Sequence, residues 1–214
     1  MFTKQITLIA LPCLLAILAW TPLAVASPLL SLGKPVTGTA YYNSGSETFT
    51  YQNLTDGAFN DTGVPFDWSF WLSPQGQVGT VAIDLQSQFV IDEIQIQNTH
   101  NRFFDDRAAH DIRIYISPSA PVFGNVGTYG TNVVNDSLAF FPCCAPIPIV
   151  TYNAFSPMTG RYVVLDMTSY YGASGGLNEI SAFGTPVPEP ATLLLLGSGL
   201  AGLRGIMWMR KRRK

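Results

Sequence analysis

Basic side chains are what the middle of this chain lacks. Of its 12 lysines and arginines, only Lys34, Arg102, Arg107, Arg113 and Arg161 fall between Ser27 and Thr185. Thirteen acidic residues share that stretch, which therefore carries a net charge of −8. Affinity for nucleic acid rests on Lys and Arg displacing phosphate counterions, so nucleic-acid binding is excluded. Enzyme signatures are missing as well: there is no H-E-x-x-H and no Walker loop. Gly172-Ala173-Ser174-Gly175-Gly176 spells G-x-S-x-G, but that motif needs a strand before it and a helix after it. Here a candidate strand, 178–183, follows, so it reads as a loop and no catalytic residue is expected. Helical periodicity and internal repeats are absent from the middle too.

Cysteine is scarce, with three in 214 residues. Cys13 follows Pro12, where a lipoprotein signal wants a small residue, so no lipid anchor is expected there. Cys143 and Cys144 are adjacent, and neighbouring cysteines bridge only through a strained ring. A vicinal disulfide and two thiols free or paired elsewhere both remain open.

The two ends supply what the middle lacks. Lys4 precedes an apolar run from Ile6 to Trp20, and Ala24-Val25-Ala26 then places small residues at cleavage spacing. That order is a secretory signal peptide, residues 1–26, cut before Ser27. At the other end, Ala191 to Leu203 gives 13 residues without a charge, about 20 Å of helix. Extension to Met209 reaches the roughly 30 Å of a bilayer core by including Arg204, whose charge can snorkel to the headgroups. The closing Met-Arg-Lys-Arg-Arg-Lys sets the C-terminus on the cytoplasmic side. Just before this single membrane helix stands Val187-Pro188-Glu189-Pro190, an extended segment that its prolines keep from joining the helix except at the first turn.

Pro-Glu-Pro, an apolar helix and an arginine-rich end together resemble the PEP-CTERM sorting signal, here residues 186–214. The resemblance implies a Gram-negative bacterium that makes exopolysaccharide, and processing by an exosortase that grips Pro188, Glu189 and Pro190. The precursor would sit in the inner membrane facing the periplasm. The product would go to the cell surface or the extracellular matrix.

Residues 27–185 are long enough for one domain with its own core. Short alternating or β-branched runs, broken by Gly, Pro, Asn and Asp, predict strands. They cover 35–42, 48–52, 68–72, 77–85, 89–98, 111–117, 148–152, 161–167 and 178–183. In Asp111-Ile112-Arg113-Ile114-Tyr115-Ile116 three isoleucines share one face. Strands with one apolar face each pack as two sheets, so an all-β sandwich or jelly roll is expected.

Six spaced segments resemble the galactose-binding-like sandwich of discoidin and coagulation-factor C-type modules and of many carbohydrate-binding modules. They are Leu54-Thr55-Asp56-Gly57, Val81–Leu85, Ile94-Gln95-Ile96 with Asn98, Asp111–Ile114 with Ser117, Arg161–Leu165, and Leu177–Ile180 running to Gly184. In that family an early Asp-Gly loop and a glutamate on the last strand clasp a structural Ca2+. The likeness nominates Asp56, Asp61, Thr62 and Glu179 as ligands, in a loop rich in the oxygen donors calcium takes. The alternative is an Asx turn satisfied by its own backbone.

The second cluster, Asn98 to Asp111, holds both histidines and two of the five bases. His100, Asn101 and Arg102 are the candidate sugar contacts. Fucose-binding lectins of this fold use a His and two Arg in roughly this place, although their adjacent cysteines fall within the loop. The competing reading makes Asn98 a turn cap and pairs Arg107 with Asp105 or Asp111. Trp68 and Trp71 are assigned to the core, where large rings supply burial. The expectation is an exported binding module for extracellular polysaccharide, and the alternative a structural matrix or adhesion protein without a small ligand.

Overall fold

The computed structural model describes residues 26–187 apart from Phe66 and Cys144. The signal peptide, the Pro188-Glu189-Pro190 motif and the membrane helix read from the sequence lie outside the described residues. Among the described residues no helix is long and apolar enough to cross a membrane.

The domain is all-β, with twelve strands: β1 Val36–Gly38, β2 Gly63–Val64, β3 Asp67–Trp68, β4 Trp71–Leu72, β5 Thr80–Asn98, β6 Arg107–Ala109, β7 Asp111–Ser117, β8 Thr131–Ser137, β9 Ile149–Tyr152, β10 Met158–Met167, β11 Tyr170–Gly172 and β12 Gly176–Pro186. The helical elements are short 3-10 turns at Tyr51–Thr55, Arg102–Phe104 and Val126–Thr128.

Strand β5 makes the sandwich. The sequence predicts two strands here, 77–85 and 89–98; the structure joins them into one of 19 residues. It turns at Gln86, whose φ is +70° and whose N–H donates to Asp84 Oδ1 at 2.7 Å. Before the turn, β5 pairs with β1 (Val36 opposite Ile83) and with β10 (Tyr162 opposite Asp84), and the layer continues through β7 to β8. After it, β5 pairs with β9 (Ile96 opposite Val150) and β12 (Ile180 opposite Ile96), and β12 pairs with β4. Ile83, Leu85, Ile112, Ile114, Val163 and Leu165 of the first layer meet Ile91, Ile94, Ile96, Leu177 and Ile180 of the second in one core. Each such side chain contributes roughly 1.5–3 kcal/mol by leaving water.

Two expectations change. The 48–52 segment is no strand; residues 51–55 coil into a 3-10 turn. There Gln52 Oε1 accepts from Val36 N–H at 3.3 Å and Asn53 Nδ2 donates to the Phe70 carbonyl at 3.0 Å. The face of β7 opposite its isoleucines is also not wholly open, because Tyr115 packs edge-on against the buried Tyr129, 5.6 Å between ring centres.

The sandwich has two distinct ends. Phe89 on β5 stands opposite Pro186, where the chain leaves for its C-terminal tail. Asn98, nine residues further along, stands opposite Leu177 and opens the 98–106 loop. At about 3.3 Å per residue the two ends are roughly 30 Å apart.

Candidate functional site

Asn98 closes the loop that β5 enters. Its Oδ1 accepts from the N–H groups of Thr99 and Ala109, both at 3.0 Å, and its Nδ2 donates to the carbonyls of Ala109 at 2.9 Å and Ala139 at 3.2 Å. Inside that clamp, Asp61 Oδ2 accepts from Thr99 Oγ1 at 2.8 Å, His100 N–H at 3.0 Å and Arg102 N–H at 3.2 Å. Gln97 binds the facing loops through Asn60 Oδ1 at 3.1 Å and the Ile147 carbonyl at 2.6 Å. Gln97 itself is buried beneath these loops.

The clamps hold strained backbone. Asn60, Asp61, Asn101, Arg102 and Asp105 all have positive φ, between 49° and 66°. Gln86 is the one other such non-glycine among the described residues. Each costs on the order of 1–3 kcal/mol and persists only where its surroundings over-determine it, a pattern typical of ligand-binding loops.

The strain delivers Arg102. Its guanidinium carbon lies 3.4 Å from the centre of the Trp68 ring, with Phe103 and Phe104 at 5.6 and 5.7 Å. Among the described residues the guanidinium makes no hydrogen bond or close ion pair, and its Nε is buried without a partner, as is Trp68 Nε1. Burial pulls the Arg102 group below the ordinary arginine value, while the charges of Glu47 and Asp61 oppose that shift. Together Arg102, Trp68, His100, Phe103, Asn60 and Asp61 line a cavity of about 510 Å³, to which Cys143 also contributes. Phe103 and Phe104 are 76% and 62% exposed at its edge.

The three nominated contacts separate here. Arg102 faces the cavity with free donors. His100 lines it too, but Nδ1–H donates to the Arg102 carbonyl at 2.8 Å, and the ring stands 3.4 Å from Asp61. Asn101 is spent inside the loop, donating to Asp106 Oδ1 at 2.6 Å. Trp68, assigned to packing by the sequence, is the platform on which Arg102 lies; Trp71 is fully buried.

Arg107 pairs with neither Asp105 nor Asp111. It stacks 3.8 Å over Tyr42, donates to Gln75 at 2.9 Å, and has Asp106 at 3.8 Å. Asp105 instead accepts from the Cys143 N–H, bringing the downstream cysteine region to the loop. Cys143 is disulfide-bonded, and Cys144 lies outside the described residues. Ser174 is fully buried and donates to the Ser73 carbonyl at 3.1 Å, and strand β12 follows it, so the G-x-S-x-G match is no nucleophile turn.

The nominated metal ligands also divide. Glu179, 2% exposed on β12, accepts from Gly57 N–H at 3.2 Å. Burial, reinforced by the neighbouring Asp56 charge, pushes its carboxyl up to about 8. Asp56 is raised too, chiefly by burial. Asp61 is committed to the 99–102 loop, and Thr62 Oγ1 donates to Ser69 Oγ at 3.3 Å. Among the described residues no three His, Cys, Asp or Glu side chains gather as a metal cluster.

Known proteins resemble this chain in its C-terminal tail and in its domain. Residues 186–213 match the PEP-CTERM protein-sorting motif. The chain carries a PEP-CTERM sorting signal. No curated protein sequence matches this PEP-CTERM chain. Its domain is similar to the Clostridium perfringens module CpGH89CBM32-5 in complex with GalNAc-β-1,3-galactose, with TM-score 0.55 and 12% identity over 73% of this chain and 100% of that one. It is similar to the family 32 carbohydrate-binding module of C. perfringens NanJ in complex with galactose, with TM-score 0.54 and 11% identity over 74% and 99%. A fucolectin from striped bass (Morone saxatilis) serum gives TM-score 0.53 and 19% identity over 72% of this chain and 48% of that one. The PEP-CTERM protein thus bears a sandwich with the fold of galactose-binding-like modules.

Proposed function

We propose that this is an exported, exosortase-processed surface or matrix protein whose sandwich binds a saccharide in the Arg102–Trp68 cavity. One observation carries the reading: a guanidinium held by a ring, with its hydrogen-bond donors unspent, at the mouth of a strained and clamped loop. Arg102 offers donors to sugar hydroxyls, and the exposed faces of Phe103 and Phe104 suit the C–H side of a pyranose ring. The fold it shares with sugar-binding modules supports the same reading. The PEP-CTERM tail supports export and release by an exosortase, with extracellular polysaccharide as the ligand class.

A structural Ca2+ fits the Asp56–Glu179 pair. Two close carboxylates, one of them almost wholly buried, repel each other unless protonated or bridged by a cation. Asp56 and Glu179 would hold the ion, with backbone carbonyls of the 56–62 loop completing an oxygen shell. The ion supplies charge neutralisation and ties the loop to β12.

Glycan-array and polysaccharide pull-down measurements test the function. Wild-type protein is expected to retain extracellular polysaccharide, and Arg102→Ala to weaken retention more than tenfold with an essentially unchanged Tm. Silence of the wild type across both assays would overturn the reading.

A further inference from the structure

The other end of the sandwich holds an acidic notch that the sugar-binding reading does not use. Ala26, Ser27, Asp92, Glu93, Asn153 and Phe183 line it, with a volume of about 360 Å³ and no cationic side chain. Ser27 Oγ donates to Asp92 Oδ2 at 2.6 Å. Asp92 Oδ1 is buried and has no hydrogen-bond partner among the described residues. A carboxylate oxygen shut from water without a donor is costly, and a charged donor is its strongest remedy.

The chain brings its own cation to this place. Ala24-Val25-Ala26 ends one residue before Ser27, so signal-peptide cleavage there turns the Ser27 amide into a free ammonium with three N–H donors. Covalent geometry keeps the backbone nitrogen of a serine about 3–4 Å from its own Oγ, and that Oγ already touches Asp92. Ordered backbone holds the segment beyond: Leu30 N–H donates to the Ala182 carbonyl at 2.8 Å, Gly184 N–H to the Pro28 carbonyl at 3.3 Å, and Ala182 N–H to Ser31 Oγ at 3.0 Å.

The geometry points to Asp92 as a binding site for a primary ammonium, the mature chain's own N-terminus, formed only after the export signal is removed. The inference rests on the signal-peptide reading and is independent of the sugar site. It makes maturation a stabilising event: cleavage pins residues 27–31 along β12, the strand that leads directly into the sorting tail.

Two chains test it, both running to Lys214 in the same detergent, one starting at Ser27 and one with a single glycine added before it. Each is compared with its Asp92→Asn variant by thermal melting at pH 7. The substitution is expected to lower the Tm of the Ser27-start chain by about 3–6 °C, the shift of a charge-assisted bond in a domain this size. It should lower the Tm of the glycine-extended chain by less than a third as much. Equal shifts in the two chains, or none in either, would overturn the inference. So would an exported protein whose first residue, by mass spectrometry, is not Ser27.

Discussion

Arg102 is held by a ring and not by an acid, and this decides what substitution there should cost. An arginine fixed by a salt bridge leaves a buried charge behind when it is removed; one fixed by stacking leaves only a bare indole. Arg102→Lys should therefore fold normally and still fail to bind, because a lysine neither stacks flat on Trp68 nor presents a planar fork. Parallel glycan-binding and melting measurements on the lysine and alanine variants check this, and recovery of binding by lysine would mean the charge alone suffices. At Glu179 the expectation concerns pH. Its folded carboxyl sits at about 8, above its ordinary 4.5, so without metal its contribution to stability is complete below 4.5 and lost as pH rises through 8. The metal-free Tm should fall across that window, and Glu179→Gln should flatten the fall. Calcium binds the deprotonated form, so its stabilisation should be larger at pH 8 than at pH 5, as calcium-dependent melts would show. Residue type nominated Arg102 as a candidate sugar contact, and the family likeness nominated Asp56 and Glu179 as candidate calcium ligands. The sequence nominated His100, Asn101, Asp61 and Thr62 as well, but not the bonds that hold them: a loop without a ladder must satisfy its own backbone, which Asp61 and His100 do, while Asn101 and Thr62 bond to the Asp106 and Ser69 side chains.

At the scale of elements, the bend in β5 matters most. Gln86 takes a left-handed conformation to pass the strand from one layer to the other, and the salt bridge beside it fixes the corner. Arg161 grips Asp84 through Nε at 2.7 Å and Nη2 at 2.8 Å, and this holds the Asp84 carboxyl below its ordinary value. Gln86→Gly should be tolerated, whereas Gln86→Val should cost about 1–2 kcal/mol through strain at positive φ, measurable by urea unfolding. Arg161→Ala should lower the Tm at pH 7. That difference should shrink as pH falls through the lowered Asp84 value, since Asp84 then protonates in both proteins. The sequence located β7 to the residue and most of β5, β9, β10 and β12, where alternation is uninterrupted. It left out β8, an edge strand in which only Val134 is buried. It also left out β6 and β11, which are three residues each and too short to show a period. The join at Gln86 was illegible because a polar Gln-Ser-Gln run looks like a break, and only long-range pairing with β10 and β12 shows that it is not.

At the scale of the whole molecule, the first described segment, Pro28 to Leu30, and the strand that leads to the PEP-CTERM signal meet at the same end of the domain. The tail departs beyond Pro186, next to the strand partners of Pro28 and Leu30. The Arg102 cavity lies at the opposite end of the domain from Pro186. Glu189→Ala should block exosortase recognition and leave the chain at full length in the inner-membrane fraction, as immunoblotting of fractionated cells would reveal. Release of that variant at normal size and rate would remove the motif from the processing step.

The opposed positions of tail and cavity also fix how the domain carries load. If the tail side is tethered while a polysaccharide tugs at Arg102, tension runs lengthwise along β5 and β12. Their cross-strand hydrogen bonds lie perpendicular to that pull, so the whole ladder must slide at once instead of opening rung by rung. A sandwich gripped this way resists flow far better than the same sandwich held by one edge.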